Sequence, residues 1–110
     1  MKEEIKEYLD KYPEEIKELY ISLRTLIMNA ISQQVEEKLW AKLPSYYVGE
    51  NLVRLIPFKD HINVEAKAVF CHEEELEGYK ITPKGMLQIF LNQDIPTDLL
   101  NKIFRETLLG

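Results

Sequence analysis

The chain has 110 residues, a net charge of −5 and 45% hydrophobic residues, which is typical of one globular domain over residues 1–110. The acidic balance argues against nucleic-acid binding, because proteins that grip phosphate backbones carry a basic surface. A single cysteine excludes an internal disulfide, and no apolar run reaches the roughly 18 residues of a membrane span. The charged start "MKEEIKEYLDKYPEE" has no apolar signal-peptide core, so we expect a cytoplasmic protein.

Two helices are predicted at the start of the chain. Ile5, Tyr8, Leu9 and Tyr12 recur at helical spacing, and Pro13 then suits the first position of a second helix, where its missing N–H costs nothing. The second helix is expected to run to about Ser32. Its apolar stripe consists of Ile16, Leu19, Tyr20, Leu23, Leu26, Ile27, Ala30 and Ile31.

After "SQQVEE" the apolar residues alternate, which predicts strands. The predicted strands are "KLWAKL", ended by Pro44, then "SYYV", "LVRLIPFK", "HINVEAKAV" and "MLQIFLN". "FCHEEELEG" predicts a short acidic helix or turn, and "GYKITPKG" a loop rich in Gly and Pro. "IPTDLLNKIFRETLL" predicts a closing amphipathic helix. The expected fold is α+β, with an antiparallel sheet of about five strands and the N-terminal and C-terminal helices on one face.

Alternation assigns the strand residues to two faces. The face toward the helices should carry Ile62, Val64, Ala66, Leu87, Ile89 and Leu91. The other face should carry Trp40, Lys42, His61, Asn63, Glu65, Gln88 and Phe90. Aromatic residues on an open face favour a binding surface, and we take Trp40, Asn63, Gln88 and Phe90 as a candidate partner surface. A solvated face with scattered aromatics is the alternative.

His61 is a candidate metal ligand, acid or base because of its imidazole side chain. Four residues apart on a strand, His61 and Glu65 are separated by roughly 13 Å, too far to share a metal ion. A packed or hydrogen-bonded histidine is therefore favoured. Cys71 and His72 are adjacent and diverge on a helix, so chance adjacency is the favoured interpretation there.

The first two helices carry a set of carboxylates at three- and four-residue spacing, which offers a weak oxygen site for a hard cation such as Fe²⁺. The candidate metal residues are Glu3, Glu7, Asp10, Glu14 and Glu18. Lysines are interleaved among them, which favours an ordinary solvated helix face.

A second candidate is a basic group in an otherwise acidic chain, suited to an anionic ligand. It consists of Lys59, His61, Lys80, Lys84 and Gly85. No nucleophile–base pair, closed metal shell or phosphate loop is present, so no catalytic residues are assigned and a non-enzymatic role is expected.

The order of segments resembles the bacterial YdhG-like family, a domain-of-unknown-function group. The resemblance covers nearly the whole chain, and its most specific pieces are "FKDHI", "GYK" with the following "KG", and "IPTDLLNKI". The chain departs from the family where it reads "AKLPSYY" and "HINVEA", which often read Gly-Met-Pro-x-Phe and His-Ile-Gly-Phe-Tyr-Pro in the family.

The resemblance implies a frataxin-like fold and, from some members, iron chaperoning with delivery to an iron–sulfur scaffold protein or to haem synthesis. It also marks Lys59, His61, Lys80, Lys84 and Gly85 as a recurrent pattern without a known catalytic role. Three hypotheses follow: a non-enzymatic iron carrier that binds Fe²⁺ weakly, a small-molecule module for anions, or an interaction domain without a small ligand. No cofactor is firmly implied.

Overall fold

The computed structural model describes residues 1–110, which form three α-helices and six strands. The helices are α1 (Glu3–Leu9), α2 (Glu14–Asn29) and α3 (Thr97–Leu109). The strands are β1 (Glu36–Trp40), β2 (Leu43–Val48), β3 (Asn51–Pro57), β4 (His61–Ala66), β5 (Lys80–Ile81) and β6 (Leu87–Phe90). Two short 3₁₀ helices, Lys67–His72 and Glu74–Leu76, connect β4 to β5.

All six strands form one antiparallel sheet in the order β1-β2-β3-β4-β6-β5. The predicted α+β class and antiparallel sheet are confirmed, with six strands where about five were expected. The two-residue strand β5 pairs Lys80 with Gln88 and Ile81 with Leu87. Such a short strand has no alternation to detect, so the sequence predicts a loop at these residues.

The first hairpin differs from the prediction of a strand over "KLWAKL" that ends at Pro44. β1 stops at Trp40, and the chain turns at Ala41 and Lys42, whose φ values are +52° and +67°. Pro44 lies inside β2, opposite Leu39, while the pairing of β2 with β3 begins only at Ser45. A turn with positive φ at two residues normally selects Gly or Asn, so alanine and lysine gave no turn signal in the sequence.

The first two helices form where the apolar spacing predicts them. Pro13 immediately precedes α2, and its carbonyl accepts the first helical hydrogen bonds, from Ile16 and Lys17. The helix ends at Asn29, about one turn before the predicted end, where the N–H of Ala30 bonds to Ile27 three residues back. Such a bond tightens the last turn and marks the end of the helix.

The helices cover one face of the sheet, and the core lies between them. The buried residues of α2 and α3 are Ile16, Tyr20, Leu23, Ile27, Leu100, Ile103, Phe104, Thr107 and Leu108. Facing them are the buried strand residues Tyr46, Val53, Leu55, Ile62, Val64, Ala66, Leu87 and Ile89. The predicted inward alternation along β4 and β6 is therefore confirmed.

Two residues depart from the predicted face assignment. Leu91 follows the end of β6 and is 37% exposed, so it does not face the helices. Lys42 lies in the β1–β2 turn and not on the sheet. Both positions lie beyond a strand end, where the alternation no longer applies.

None of the three helices combines the length and the apolarity that a crossing of the membrane requires.

Candidate functional site

His61 lies at the start of β4, on the face of the sheet that the helices leave open. Its imidazole is stacked between Phe58 and Phe90, with ring centroids 4.5 Å and 4.6 Å away. Nδ1 donates to Asp60 Oδ1 at 2.8 Å, while Nε2 lies 3.4 Å from the side-chain amide of Gln88 and accepts from it. The side chain is only 14% exposed. His61 is therefore the packed, hydrogen-bonded histidine that the strand spacing favours.

The stack continues across the open face. Asn63 Oδ1 accepts from Gln88 Nε2 at 3.2 Å, and Lys80 Nζ lies 5.7 Å from the centroid of Phe90. Hydrogen bonds and a cation–π contact fix these side chains, which leaves Phe58 and Lys80 exposed while Asn63 is buried. We call this set the open-face cluster: Phe58, His61, Asn63, Lys80, Gln88 and Phe90.

Trp40 lies on the same face, at the end of the edge strand β1. Lys38, two residues before Trp40, pairs with Ser45, and Ser45 pairs with Arg54. Ile56, two residues after Arg54, pairs with Asn63, and Asn63 pairs with Gln88. Because alternate residues of a strand share a face, the predicted partner residues Trp40, Asn63, Gln88 and Phe90 lie on one face of the sheet. Trp40 is 54% exposed at the end of β1.

The predicted anion group does not form one site in the structure. His61 and Lys80 both reach Phe90, whereas Lys84 and Gly85 line a cavity of about 640 Å³ at the opposite end of β4. Lys59 is exposed in the connection between β3 and β4 and does not line that cavity. The sequence spacing could not reveal this division. Because β4 and β6 pair antiparallel, Lys84 and Gly85, which precede β6, lie beside the end of β4, whereas His61 lies at its start.

The predicted acidic metal group is not a formed site either. No group of three or more His, Cys, Asp or Glu side chains is arranged to hold an ion. Asp10 and Glu14 instead both lie near Lys17 Nζ, at 3.5 Å and 3.9 Å. The non-helical connection at Pro13 separates Glu3 and Glu7 on α1 from Glu14 and Glu18 on α2. The helical spacing of the carboxylates therefore does not continue from one helix to the next.

A buried polar network between α2 and the sheet was missed by the sequence reasoning. Arg24 donates to both carboxylate oxygens of Glu37, at 2.6 Å and 3.1 Å, and Tyr46 donates to the same carboxylate at 2.8 Å. The Tyr20 and Tyr46 hydroxyls bond to each other, and the backbone N–H of Lys2 also reaches Glu37. The one available signal was Tyr20, a hydroxyl within an otherwise apolar stripe.

Burial and hydrogen bonding set the charges in this network. Burial raises the pKa of Tyr46, and the neighbouring Tyr20 and Glu37 raise it further, so the hydroxyl stays protonated. Burial also acts to raise the pKa of Glu37, but hydrogen bonds from Arg24 and Tyr46 outweigh it and lower that pKa. Glu37 is 6% exposed and ionised, with every buried polar atom paired. The network fixes α2 on the sheet.

His72 forms a second polar contact that spacing did not predict. Its two ring nitrogens lie 2.6 Å from Glu75 and 2.7 Å from Glu106 of α3, which clamps the 3₁₀ segment to that helix. Hydrogen bonds to Glu106 and Glu75 raise the pKa of His72. The two ring nitrogens of His72 are thus engaged by different carboxylates.

Comparison of the chain with models of known families, with curated proteins and with solved structures finds no match.

Proposed function

We propose that this protein is a non-enzymatic, cytoplasmic binding protein that docks a partner protein through the open face of its sheet. The observation that carries the proposal is the open-face cluster, together with the exposed Trp40 on the same face. The three helices cover the opposite face of the sheet. The open face is thus the sheet surface that remains for recognition.

The composition of this face suits protein recognition. Binding hot spots are enriched in tryptophan, tyrosine and arginine, and rigid aromatic side chains lose little conformational entropy on binding. Phe90 is pre-positioned by its stack on His61 and by Lys80. Lys38 lies 4.6 Å from the ring centroid of Tyr47 on the same face. Lysines at the aromatic rings favour a partner with acidic groups around an apolar centre.

Iron delivery is the finer part of the proposal, and it is supported by the family resemblance. Fe²⁺ would be cargo, held loosely by exposed carboxylates of α1 and α2, since three ligating side chains do not converge within the chain. Loose oxygen ligation allows release to an iron–sulfur scaffold protein, which could supply further ligands at the docked surface.

The docking proposal is tested with a purified iron–sulfur scaffold protein and ¹⁵N-labelled chain. Amides of the open face should shift on addition of the scaffold. Trp40→Ala should weaken binding about 30-fold, the effect of a hot spot of roughly 2 kcal/mol. Ile21→Ala, which removes an exposed apolar side chain from α2, is the matched control and should bind like the wild type. Equal weakening by both substitutions, or no binding, would overturn the proposal.

The iron proposal has a separate readout. Fe²⁺ added under anaerobic conditions should broaden amides of α1 and α2, and Glu14→Gln/Glu18→Gln should reduce that broadening. An unchanged spectrum at millimolar Fe²⁺ removes the cargo from the proposal and leaves the docking surface standing.

A further inference from the structure

A cavity lies away from the open-face cluster, at the end of the sheet where β3 begins and β4 ends. Its volume of about 640 Å³ falls within the range of sites that bind small molecules. Its walls come from the β2–β3 turn, the end of β4, the first 3₁₀ helix, the β5–β6 turn and α3.

The walls of this cavity are tied together by hydrogen bonds. Thr107 of α3 accepts from the backbone N–H of Ala68 at 3.0 Å, and Asn51 donates to the carbonyl of Leu108 at 3.1 Å. The β5–β6 turn is closed by Thr82, which bonds the backbone of Gly85 and Met86. These bonds hold α3 against the first 3₁₀ helix and the β2–β3 turn, and they fix the shape of the β5–β6 turn, which lowers the conformational entropy that these walls lose on binding.

The charges at the cavity are balanced but unpaired. Lys67 and Lys84 line it together with Glu50 and Glu73, and none of these four side chains takes part in an ion pair. Glu65, the remaining acidic residue of the lining, is already bound by Arg54 at 3.1 Å. Two ammonium groups and two carboxylates thus face one space without neutralising each other.

The rim carries the most exposed large apolar residue of the chain. Phe70, on the first 3₁₀ helix, is 78% exposed and lines the same cavity. Gly85 lines the same cavity and has a φ of +88° that favours glycine, and no atom lies within 4 Å of where a Cβ would be. The cavity therefore offers an apolar or aromatic group a ring to pack against and, at Gly85, open space.

We propose that this cavity binds a small zwitterion with an apolar side chain, the chemistry of an amino acid or a dipeptide. The ligand carboxylate is held by Lys67 and Lys84, the ligand ammonium by Glu50 and Glu73, and the apolar side chain lies against Phe70. A simple anion fits less well, because the two carboxylates repel it; a simple cation meets the same objection from the lysines. The site is independent of the proposed docking face.

Three probes with the same side chain and different charges test the proposal by NMR titration. They are L-phenylalanine, N-acetyl-L-phenylalanine, which lacks the ammonium, and L-phenylalanine amide, which lacks the carboxylate. Phenylalanine should shift amides near Lys67, Phe70 and Gly85 saturably, with a midpoint below about 10 mM. Each of the other two should bind about three- to tenfold more weakly, the loss expected for one solvent-accessible charge pair.

Substitutions at exposed residues assign the two ends of the ligand without endangering the fold. In Lys84→Gln, phenylalanine should lose most of its advantage over phenylalanine amide. In Glu50→Gln/Glu73→Gln it should lose its advantage over N-acetyl-phenylalanine. Lys59→Gln, an exposed lysine outside the cavity, is the control and should leave all three affinities unchanged.

Other outcomes overturn the proposal. If N-acetyl-phenylalanine binds the wild type as tightly as phenylalanine does, the cavity takes anions and the zwitterion assignment is wrong. If none of the probes shifts the amides of the cavity, or if the shifts fall on the open face, the cavity is not the site.

Discussion

The two faces of the sheet carry similar side chains in different surroundings. On the covered face, Tyr20, Arg24, Glu37 and Tyr46 form a closed network in which each buried polar atom has a partner. On the open face, the stack around His61 buries Asn63 and most of His61, whereas Phe58, Lys80 and Trp40 remain exposed. The helix packed over the covered face, and not residue type, separates a closed structural network from a surface on which some side chains stay available for binding.

The largest effect should come from the covered face. Glu37→Gln removes the charge that Arg24 and Tyr46 are arranged to meet, and should lower the free energy of unfolding by about 3 kcal/mol, because a nearly buried ion pair loses one partner. Urea denaturation measures the change. Glu36→Gln, at the exposed neighbouring position, should cost no more than about 0.5 kcal/mol. Similar losses for both variants would mean that burial does not decide the outcome.

A smaller change in the same network tests the hydroxyl of Tyr46. Tyr46→Phe deletes one hydroxyl that bonds both Tyr20 and Glu37, and should destabilise the protein by about 1 to 3 kcal/mol. Tyr47→Phe, one residue later on the open face, should be nearly neutral. Chemical denaturation of the two variants gives the difference directly, and a reversed order would contradict the division between the faces.

On the open face, Phe90→Ala removes one ring from the stack on His61. The expected loss is about 1 to 2 kcal/mol, since the ring is half-buried and aromatic pairs contribute modestly beyond burial. The His61 ring protons should also shift as the ring current of Phe90 disappears. Phe70→Ala, which removes an exposed ring without a stacking partner, should cost no more than about 0.5 kcal/mol. Equal costs would show that the stack does not hold the cluster together.

The smallest effect is expected at His72, which joins covered elements but lies near solvent. Because Glu106 and Glu75 raise the pKa of His72, its contribution should be complete below the ordinary histidine pKa, about 6.5, and vanish as the pH rises through the raised value. At low pH, the free energy of unfolding of the wild type should exceed that of His72→Gln by less than about 1 kcal/mol. Urea unfolding of both proteins between about pH 5 and pH 9 tests the sign. A difference that grows with pH would contradict the clamp.

Much of the fold was predictable from local patterns. The apolar stripe from Ile16 to Ile27 identifies the buried face of α2, and the alternation within β4 and within β6 identifies the buried face of the sheet. Both periods follow directly from backbone geometry. The hairpin at Ala41 and Lys42 was not predictable, because neither residue belongs to the types that favour positive φ. Strand β5 was not predictable for a different reason, since two residues are too few to show an alternation.

The candidate sites were predictable only in part. Alternation correctly placed His61, Asn63, Gln88 and Phe90 on one face. It could not show that Phe58, a residue outside any strand, completes the stack on His61. The acidic residues of α1 and α2 share a charge pattern in the sequence, yet Pro13 reorients the chain between them and they do not converge.

Local patterns were enough to predict the α+β class, the amphipathic helices and the inward sides of β4 and β6, because each depends on residues close together in the chain. Which polar residues meet depends on the path of the backbone in three dimensions. Glu37 contacts Arg24 and Tyr46, and Lys84 lines the same cavity as Glu50, because the antiparallel order of strands brings distant segments together. Spacing along a chain constrains contacts over a few residues, whereas the path of the backbone sets all the others.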